Sequence, residues 1–435
     1  MIPKYSIKLS IMKLFAKGLI LIVFLSAIQM KVSAQFHLNA EYRPLTELRH
    51  GYKSPVKKEA DAAFLTSHRA RLNAEYNAAR FKLNLSIQDV RVWGNTTQLN
   101  TSDNLTSFHQ AWAEVLINKE WSVKLGRQEL NYDDGRLFGN VNWLQQARSH
   151  DLALLKYTGK GLKAHLGLAF NQEKDQLTGT LYTLNNYKAM QFLWLNKEFG
   201  NTGVSVYLIN NGFQYEDPDT AKLDYSVNYT QTIGARVSHK AGKLNLAGAV
   251  YGQTGKDQSG REVLAYYLNL EAAYVVSSNL RGTLGAEILS GTDADQNTIK
   301  DDNKSFTPLY GTAHKFNGHM DYFYAANHFN NVGLNDVYVK IAQKSGKLLL
   351  GADLHAFMAN AKVLDLNGKE TEKYLGTELD AWAEYQLDEA ILLSGGYSMM
   401  FATDAMKAVK KVSGDMGTQY WGWVMLTFKP NLLKQ

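Results

Sequence analysis

The sequence predicts an all-β fold, a transmembrane antiparallel β-barrel of about 18 strands with short periplasmic turns and long extracellular loops. Three observations predict it. Apolar and polar residues alternate with a period of two, the connections alternate between short and long, and aromatic residues gather where the runs end.

The N-terminus is read apart from the barrel. Residues 12–34, MKLFAKGLILIVFLSAIQMKVSA, hold a basic start at Lys13 and Lys17, an apolar run from Gly18 to Ile28, and small residues at Val32-Ser33-Ala34. That is the pattern of a secretory signal peptide over 1–34, with the mature chain from about residue 35 to 435 forming one barrel. The apolar run is shorter than the roughly 20 residues a spanning helix needs. Residues 1–34 carry five lysines and no acid, so the formal charge falls from +6 to +1 without them. The basic pI is therefore no argument for nucleic acid. The chain has no cysteine, which excludes a disulfide framework.

The alternation is clearest in four places. Arg69, Arg71, Asn73 and Glu75 face one way, and Ala70, Leu72, Ala74 and Tyr76 the other. Phe81, Leu83, Leu85 and Ile87 oppose Lys82, Asn84, Ser86 and Gln88. Val337, Val339 and Ile341 oppose Asp336, Tyr338 and Lys340, and Tyr420, Gly422, Val424, Leu426 and Phe428 share a face. Successive strand side chains point to opposite faces, so each run has one apolar face.

Tight turns are expected near 77–78, 119–120, 159–160, 200–201, 241–242, 277–278, 345–346 and 388–389. Longer polar connections are expected at 45–61, 94–107, 131–147, 172–186, 215–227, 255–261, 292–331, 359–373 and 402–417. Strict alternation of the two kinds joins 18 strands and collects the long loops at one end, as in an outer-membrane barrel. Closing the sheet satisfies every backbone donor and acceptor at bilayer depth. Trp93, Trp121, Tyr157, Phe199, Tyr397, Phe401 and Trp421 sit at strand ends, where an interfacial girdle is expected.

Two segments break the pattern. In strand 79–93, Asp89, Arg91 and Trp93 fall on the face that was apolar before, which calls for a bulge or for the strand leaving the bilayer. Segment 292–331 is long for a connection. Its aromatic second half either adds a hairpin or folds inward to cap or enter the pore.

The polar stretches admit several chemistries. Asp133 and Asp134, or Glu129 with Asp151, could supply a carboxylate pair for glycoside hydrolysis, so an outer-membrane carbohydrate-active enzyme using Asp133 and Asp151 is one reading. Asp-Asp-Gly is also ordinary turn chemistry. His314, His319 and His328 with Asp321 are too loosely spaced to define a metal site. No phosphate loop, HExxH pair or nucleophile elbow is present, and no basic block interleaved with aromatics suggests nucleic acid.

Arginine is more informative. The 12 arginines lie between Arg43 and Arg281, and nine precede residue 150. Arg69, Arg71 and Lys82, then Arg91, Arg127, Arg136 and Arg148, come from neighbouring strands and their connecting loop, with Glu75, Asp89, Glu114, Glu129 and Asp151 among them. The guanidinium fork donates two parallel hydrogen bonds to a carboxylate, so this wall suits acidic solutes. It also reads as an arginine–acid ladder that stiffens the barrel.

The runs SIQDVRVWGNT (86–96), HQAWAEV (109–115), KLGRQELNYDDGRLFG (124–139), NWLQQARSHDLALLKY (142–157), YGTAHKFNGHMDYFYA (310–325) and GLNDVYVKI (333–341) resemble the alginate-export family of outer-membrane proteins. The resemblance implies a monomeric 18-stranded barrel that passes anionic polysaccharide outward through a lumen lined by arginine and lysine. It also implies that Arg91, Arg127, Glu129, Asp133, Arg136, Arg148 and Asp151 belong to the selective wall. Trp143 and the loop residues His314, Lys315 and Asp321 would position or cap it.

The function expected is passive, cofactor-free and metal-free passage of an alginate-like uronate polymer or oligosaccharide across the outer membrane. The alternative is a general or sugar-selective porin taking up small solutes. Expected partners are outer-membrane lipid and lipopolysaccharide, an anionic or neutral glycan as solute, and periplasmic polysaccharide-synthesis or export components.

Overall fold

The computed structural model describes residues 35–216, 225–298, 301–324, 328 and 331–434. The leader expected over 1–34, and residues 217–224 of the connection expected at 215–227, lie outside them.

Eighteen strands form one closed sheet. In chain order they are β1 (Gln35–His50), β2 (Ala63–Asn77), β3 (Phe81–Val92), β4 (Thr106–Leu116), β5 (Trp121–Gln128) and β6 (His150–Gly159). Next come β7 (Leu162–Phe170), β8 (Ala189–Phe199), β9 (Thr202–Glu216), β10 (Tyr225–Ala241), β11 (Leu244–Lys256) and β12 (Glu262–Val275). The last six are β13 (Leu280–Leu289), β14 (Leu334–Ser345), β15 (Leu348–Met358), β16 (Tyr374–Asp388), β17 (Ile391–Ala402) and β18 (Gln419–Phe428). Each pairs antiparallel with the next, and β18 returns to β1 through Tyr42↔Phe428 and Glu47↔Trp423. Pro430 has no N–H to give the ladder. There β18 is interrupted, and it resumes against β1 as Asn431–Lys434.

All eight tight turns fall where the alternation places them. The long connections do too, with one correction: β1 runs to His50, because Glu47, Leu48 and Arg49 pair with both β2 and β18, so the loop expected from 45 begins after 50. Among its described residues, the 290–333 connection holds no barrel strand, only a short 3-10 turn at Ala313–Lys315. The 403–418 connection carries helix α1 (Asp404–Lys410), started by Thr403, whose hydroxyl accepts from Met406 N at 3.3 Å.

The burial pattern is inverted relative to a water-soluble protein. Leu85, Leu168, Leu270, Val339 and Val424 are exposed on the outside, while Arg69, Gln128, Asp336 and Glu378 are 0 % exposed inside. Lipid is the solvent that makes this favourable, since apolar side chains cost nothing there and paired polar groups are kept away from it. Trp93, Trp121, Phe199, Tyr397 and Phe401 are exposed on the outer face, and Trp121 packs on Tyr157 at 4.8 Å. Trp421 is not with them. Its strand places Tyr420 and Gly422 outward, so parity turns Trp421 into the lumen, where it is fully buried.

The bulge expected in β3 lies in its partner. Ser86 pairs with Gln110 and Ile87 with Phe108, so the extra residue is His109 of β4, turned inward onto Glu129 at 2.6 Å. β3 keeps its alternation to the end, and its outward face simply becomes polar at the long-loop end.

Candidate constriction site

Two long connections meet across the lumen: 129–149, between β5 and β6, and 301–324, between β13 and β14. The first enters through a sharp turn in which Asp133 and Gly135 both have positive φ (51° and 84°) and Gly135 N donates to Tyr132 O at 2.9 Å. Asp133 fixes the turn by accepting from Trp194 Nε1 (3.2 Å), Ser205 Oγ (2.7 Å) and Tyr207 OH (2.5 Å). Its neighbour Asp134 pairs with Arg236 at 2.7 Å.

The two loops pair backbone to backbone. Tyr310 N donates to Leu137 O (3.0 Å), Gly139 N to Tyr310 O (2.9 Å) and Thr312 N to Gly135 O (2.9 Å). This approach requires glycine: a Cβ on Gly139 would collide with Thr312 Oγ1, and one on Gly311 with the Arg136 carbonyl.

Side chains of opposite charge anchor the pair on two separate sectors of the wall, β1–β3 and β16, with β17 and β18 between them. On β1–β3, Arg43 donates to the carbonyls of Asn142 (2.8 Å), Trp143 (3.1 Å) and Leu144 (3.1 Å). Arg69 donates to the carbonyl of Gln145 (3.2 Å) and to Asn142 Oδ1 (2.9 Å), while also bonding Glu41. Gln88, held by Arg71 at 2.6 Å, donates to the carbonyl of Gln146 (3.0 Å). Five consecutive carbonyls are thus satisfied by three wall side chains, which meets the demand a buried backbone makes. On β16 the logic reverses: Glu378 Oε1 accepts from Met320 N at 2.7 Å, and Asp380 accepts from His319 N at 3.4 Å.

Arg136 sits between the anchors. It is 2 % exposed, pairs with Glu287 of β13 at 3.0 Å, donates to Asn317 Oδ1 at 3.2 Å, and lies over the rings of Phe316 (4.6 Å) and Tyr267 (5.0 Å). Asn317 in turn donates to Glu287 and to Asp336 of β14, which holds His355 at 2.9 Å. Nearby, Trp143 stacks on His314 with centroids 4.2 Å apart and planes 9° apart, against the edges of Trp421 and Trp423. His314 Nδ1 meets Asp321 Oδ1 at 3.0 Å, and Tyr52 OH donates to Asp321 Oδ2 at 2.5 Å. Burial and the Asp321 charge push the Tyr52 phenol well up. Burial works against ionised Asp321, yet His314 and Tyr52 hold its carboxyl below the usual range. Burial pushes His319 down to about 4, against the pull of Asp380.

The structure therefore brings Arg69, Arg71, Glu129, Asp133, Arg136, Trp143, Arg148, His314, Lys315 and Asp321 into or beside the loop pair. Lys82 faces inward opposite Glu114, toward the short-turn end. Three residues are elsewhere. Arg127 and Asp151 form a 2.8 Å pair on the outer surface, because Leu125 and Ala153 face outward and period two carries 127 and 151 with them. Arg91 also faces outward, bonded to Asp89 and to Asp103 at 2.9 Å. Asp133 inside and Asp151 outside face opposite ways and cannot flank one glycosidic bond. Among the described residues, no cluster of three or more His, Asp or Glu side chains is arranged to hold a metal.

Arg43, Glu41, Gln88, Glu287, Glu378 and Asp380 were missed by the sequence reading. Their signal was available in the parity of each strand, which puts them all on the polar face.

A cavity flanks the loop pair on each side. The one toward the long loops is ≈ 550 Å³ and is lined by Arg148, Asn211, Gln253, Tyr310 and Tyr324 among others. The one toward the short turns is ≈ 420 Å³, with Arg236, Arg281, Lys315, Lys340 and Asp353 in its walls.

A sequence profile for a family described as Alginate export matches residues 35–418. No curated protein matches the chain. Among solved structures, OccAB4 of Acinetobacter baumannii superposes with TM-score 0.62 at 10 % identity, over 92 % of this chain and 99 % of that one. OpdO of Pseudomonas aeruginosa gives 0.60 at 12 % identity, over 92 % and 98 %. OccK2 (OpdF) of the same organism, crystallised in complex with glucuronate, gives 0.57 at 11 % identity, over 92 % and 97 %.

Proposed function

The chain belongs to the alginate-export family and is an outer-membrane β-barrel, and we propose that it is a passive channel for small acidic and neutral sugars rather than a conduit for polymer. The observation that carries this reading is the backbone-paired loop couple across the lumen, with cavities of ≈ 550 and ≈ 420 Å³ on its two faces. Both volumes fall within the roughly 300–1,000 Å³ of small-molecule sites.

Charge favours an acidic solute. Arg148 on one side, and Arg281 and Lys315 on the other, have no ion-pair partner among the described residues, whereas Arg69 and Arg136 are already matched to Glu41 and Glu287. The path would run from Arg148, past Arg136 and Trp143, to Lys315 and Arg281, with attraction weak enough at each step for release. The likeness to a barrel crystallised with glucuronate supports the solute class.

Export of a uronate polymer is the second reading, favoured by the family description. It requires segments 129–149 and 301–324 to leave the lumen, breaking the Arg43 and Glu378 anchors. Liposome swelling with a graded series of sugars separates the two. Glucose and glucuronate entering while long oligouronates stay out supports the small-solute channel; entry of the long oligomers supports export. Reversal potentials under a salt gradient test the charge argument, and strong cation selectivity would overturn it.

A further inference from the structure

We propose that Arg148 is a latch opened by carboxylates: an acidic sugar entering the long-loop cavity captures the guanidinium that stitches the two constriction loops together, and the path widens. The proposal rests on the channel reading above. The Arg148 backbone N–H is fixed within its own loop, donating to Asn140 O at 2.7 Å. Its guanidinium crosses to the other loop, Nη1 to Gly311 O at 3.2 Å and Nη2 to Tyr324 OH at 3.0 Å. Gly311 lies between Tyr310 and Thr312, the residues that form the loop-to-loop ladder.

Both acceptors are neutral. A carboxylate offers the same fork two charged oxygens in the parallel bidentate geometry it fits, an ion pair that neither neutral acceptor can form. Arg148 is also the constriction arginine placed to be captured. Arg69 and Arg136 are buried and already bonded to Glu41 and Glu287, so no entering anion can replace their partners without stranding a buried charge. Arg148 is half-buried, lines the ≈ 550 Å³ cavity, and has no carboxylate partner among the described residues. Asp257, the acid in that cavity, is compensated by Arg261 at 2.9 Å and by Asn303. Asn211 and Gln253 in the same wall are buried and already committed, Asn211 Oδ1 accepting from Tyr310 OH and Gln253 bonding Thr232 and Thr307. A neutral sugar brings no charged oxygen that could displace Gly311 O from the guanidinium.

Single-channel recordings of the purified protein in planar bilayers test this, with sodium glucuronate or glucose added on the long-loop side at matched ionic strength. Wild type should step to a higher conductance with glucuronate and not with glucose. Arg148→Gln should sit at the higher level in both, and Arg148→Lys should need at least about tenfold more glucuronate, because an ammonium cannot form the bidentate pair. Heat-modifiable migration of each variant checks that the barrel is intact. A wild-type level indifferent to glucuronate, with Arg148→Gln conducting like wild type, overturns the latch and leaves the channel standing. A silent wild type overturns the channel reading and the latch with it.

Discussion

Arg43 donates to the carbonyl of Asn142 at 2.8 Å across 99 residues of sequence, tying the first strand of the barrel to the loop that crosses its lumen. With Arg69 it holds most of the 142–145 backbone. Hydrogen bonds to a charged donor contribute about 1.5–3 kcal/mol each. Arg43→Ala with Arg69→Ala should therefore free the loop, raising mean conductance and open-channel noise, with Arg43→Lys intermediate. Unchanged current traces from the double variant would show that the anchors do not hold the constriction.

The Arg136–Glu287 pair makes a stability prediction. Removing one partner of a buried pair costs about 3–5 kcal/mol, because the other charge is left without compensation. Arg136→Ala should lower the urea midpoint of the folded barrel markedly, since Glu287 and Asp336 stay buried together. Arg136→Met combined with Glu287→Gln should recover much of the loss. Equal destabilisation by both would show that packing on Phe316 and Tyr267, not charge, dominates.

For Arg127 and Asp151 the expected result is nearly nothing. Their side chains are 46 % and 58 % exposed on the outer surface, and exposed pairs are worth about 0–1 kcal/mol. Arg127→Ala should leave the reversal potential unchanged. A clear loss of anion preference would mean that the outward-facing rim, not the lumen, sets selectivity.

Acid should loosen the 313–321 segment. His319 has a folded value of about 4 against an ordinary value near 6.5, so between those pH values the undocked state binds more protons than the docked one. Docking weakens as pH falls through that window and levels off below about 4. Asp321, held below its ordinary value, acts in the same direction at the acid end. Conductance measured from pH 7 to pH 4.5 should rise, and His319→Gln should blunt the rise. A flat profile in wild type would remove His319 from the docking balance.

The strands and turns were legible because lipid outside and water within impose a period of two and a strict alternation of loop lengths. The inward arginines at 69 and 71 followed from the same rule. Arg127, Arg91 and Asp151 were misplaced where grouping by charge overrode parity: Leu125 and Ala153 already fixed which way their neighbours point. What sequence could not give is the constriction itself. Asn142 meeting Arg43, or Asn317 meeting Glu287 and Asp336, depends on two loops folding back into a cylinder, and no local periodicity records that. The histidines of 314–328 resisted for the same reason, since stacking on Trp143 is a contact between segments 171 residues apart.

The junction of β1 with β18, interrupted at Pro430, bears on the order in which the molecule can be built. The Arg43 and Arg69 grips use only the first 150 residues, so the early hairpins can collect one loop while the sheet is still an open ribbon. The Glu378 grip, to Met320, spans only 58 residues and waits for β16, whereas the final strand pairing arrives last and joins residues nearly 400 apart in sequence, a separation that makes such contacts slow to form. Biogenesis should therefore pass through a long-lived intermediate that already carries half its gate, and a mutation at the Pro430 break should prolong that stage before it alters the finished pore.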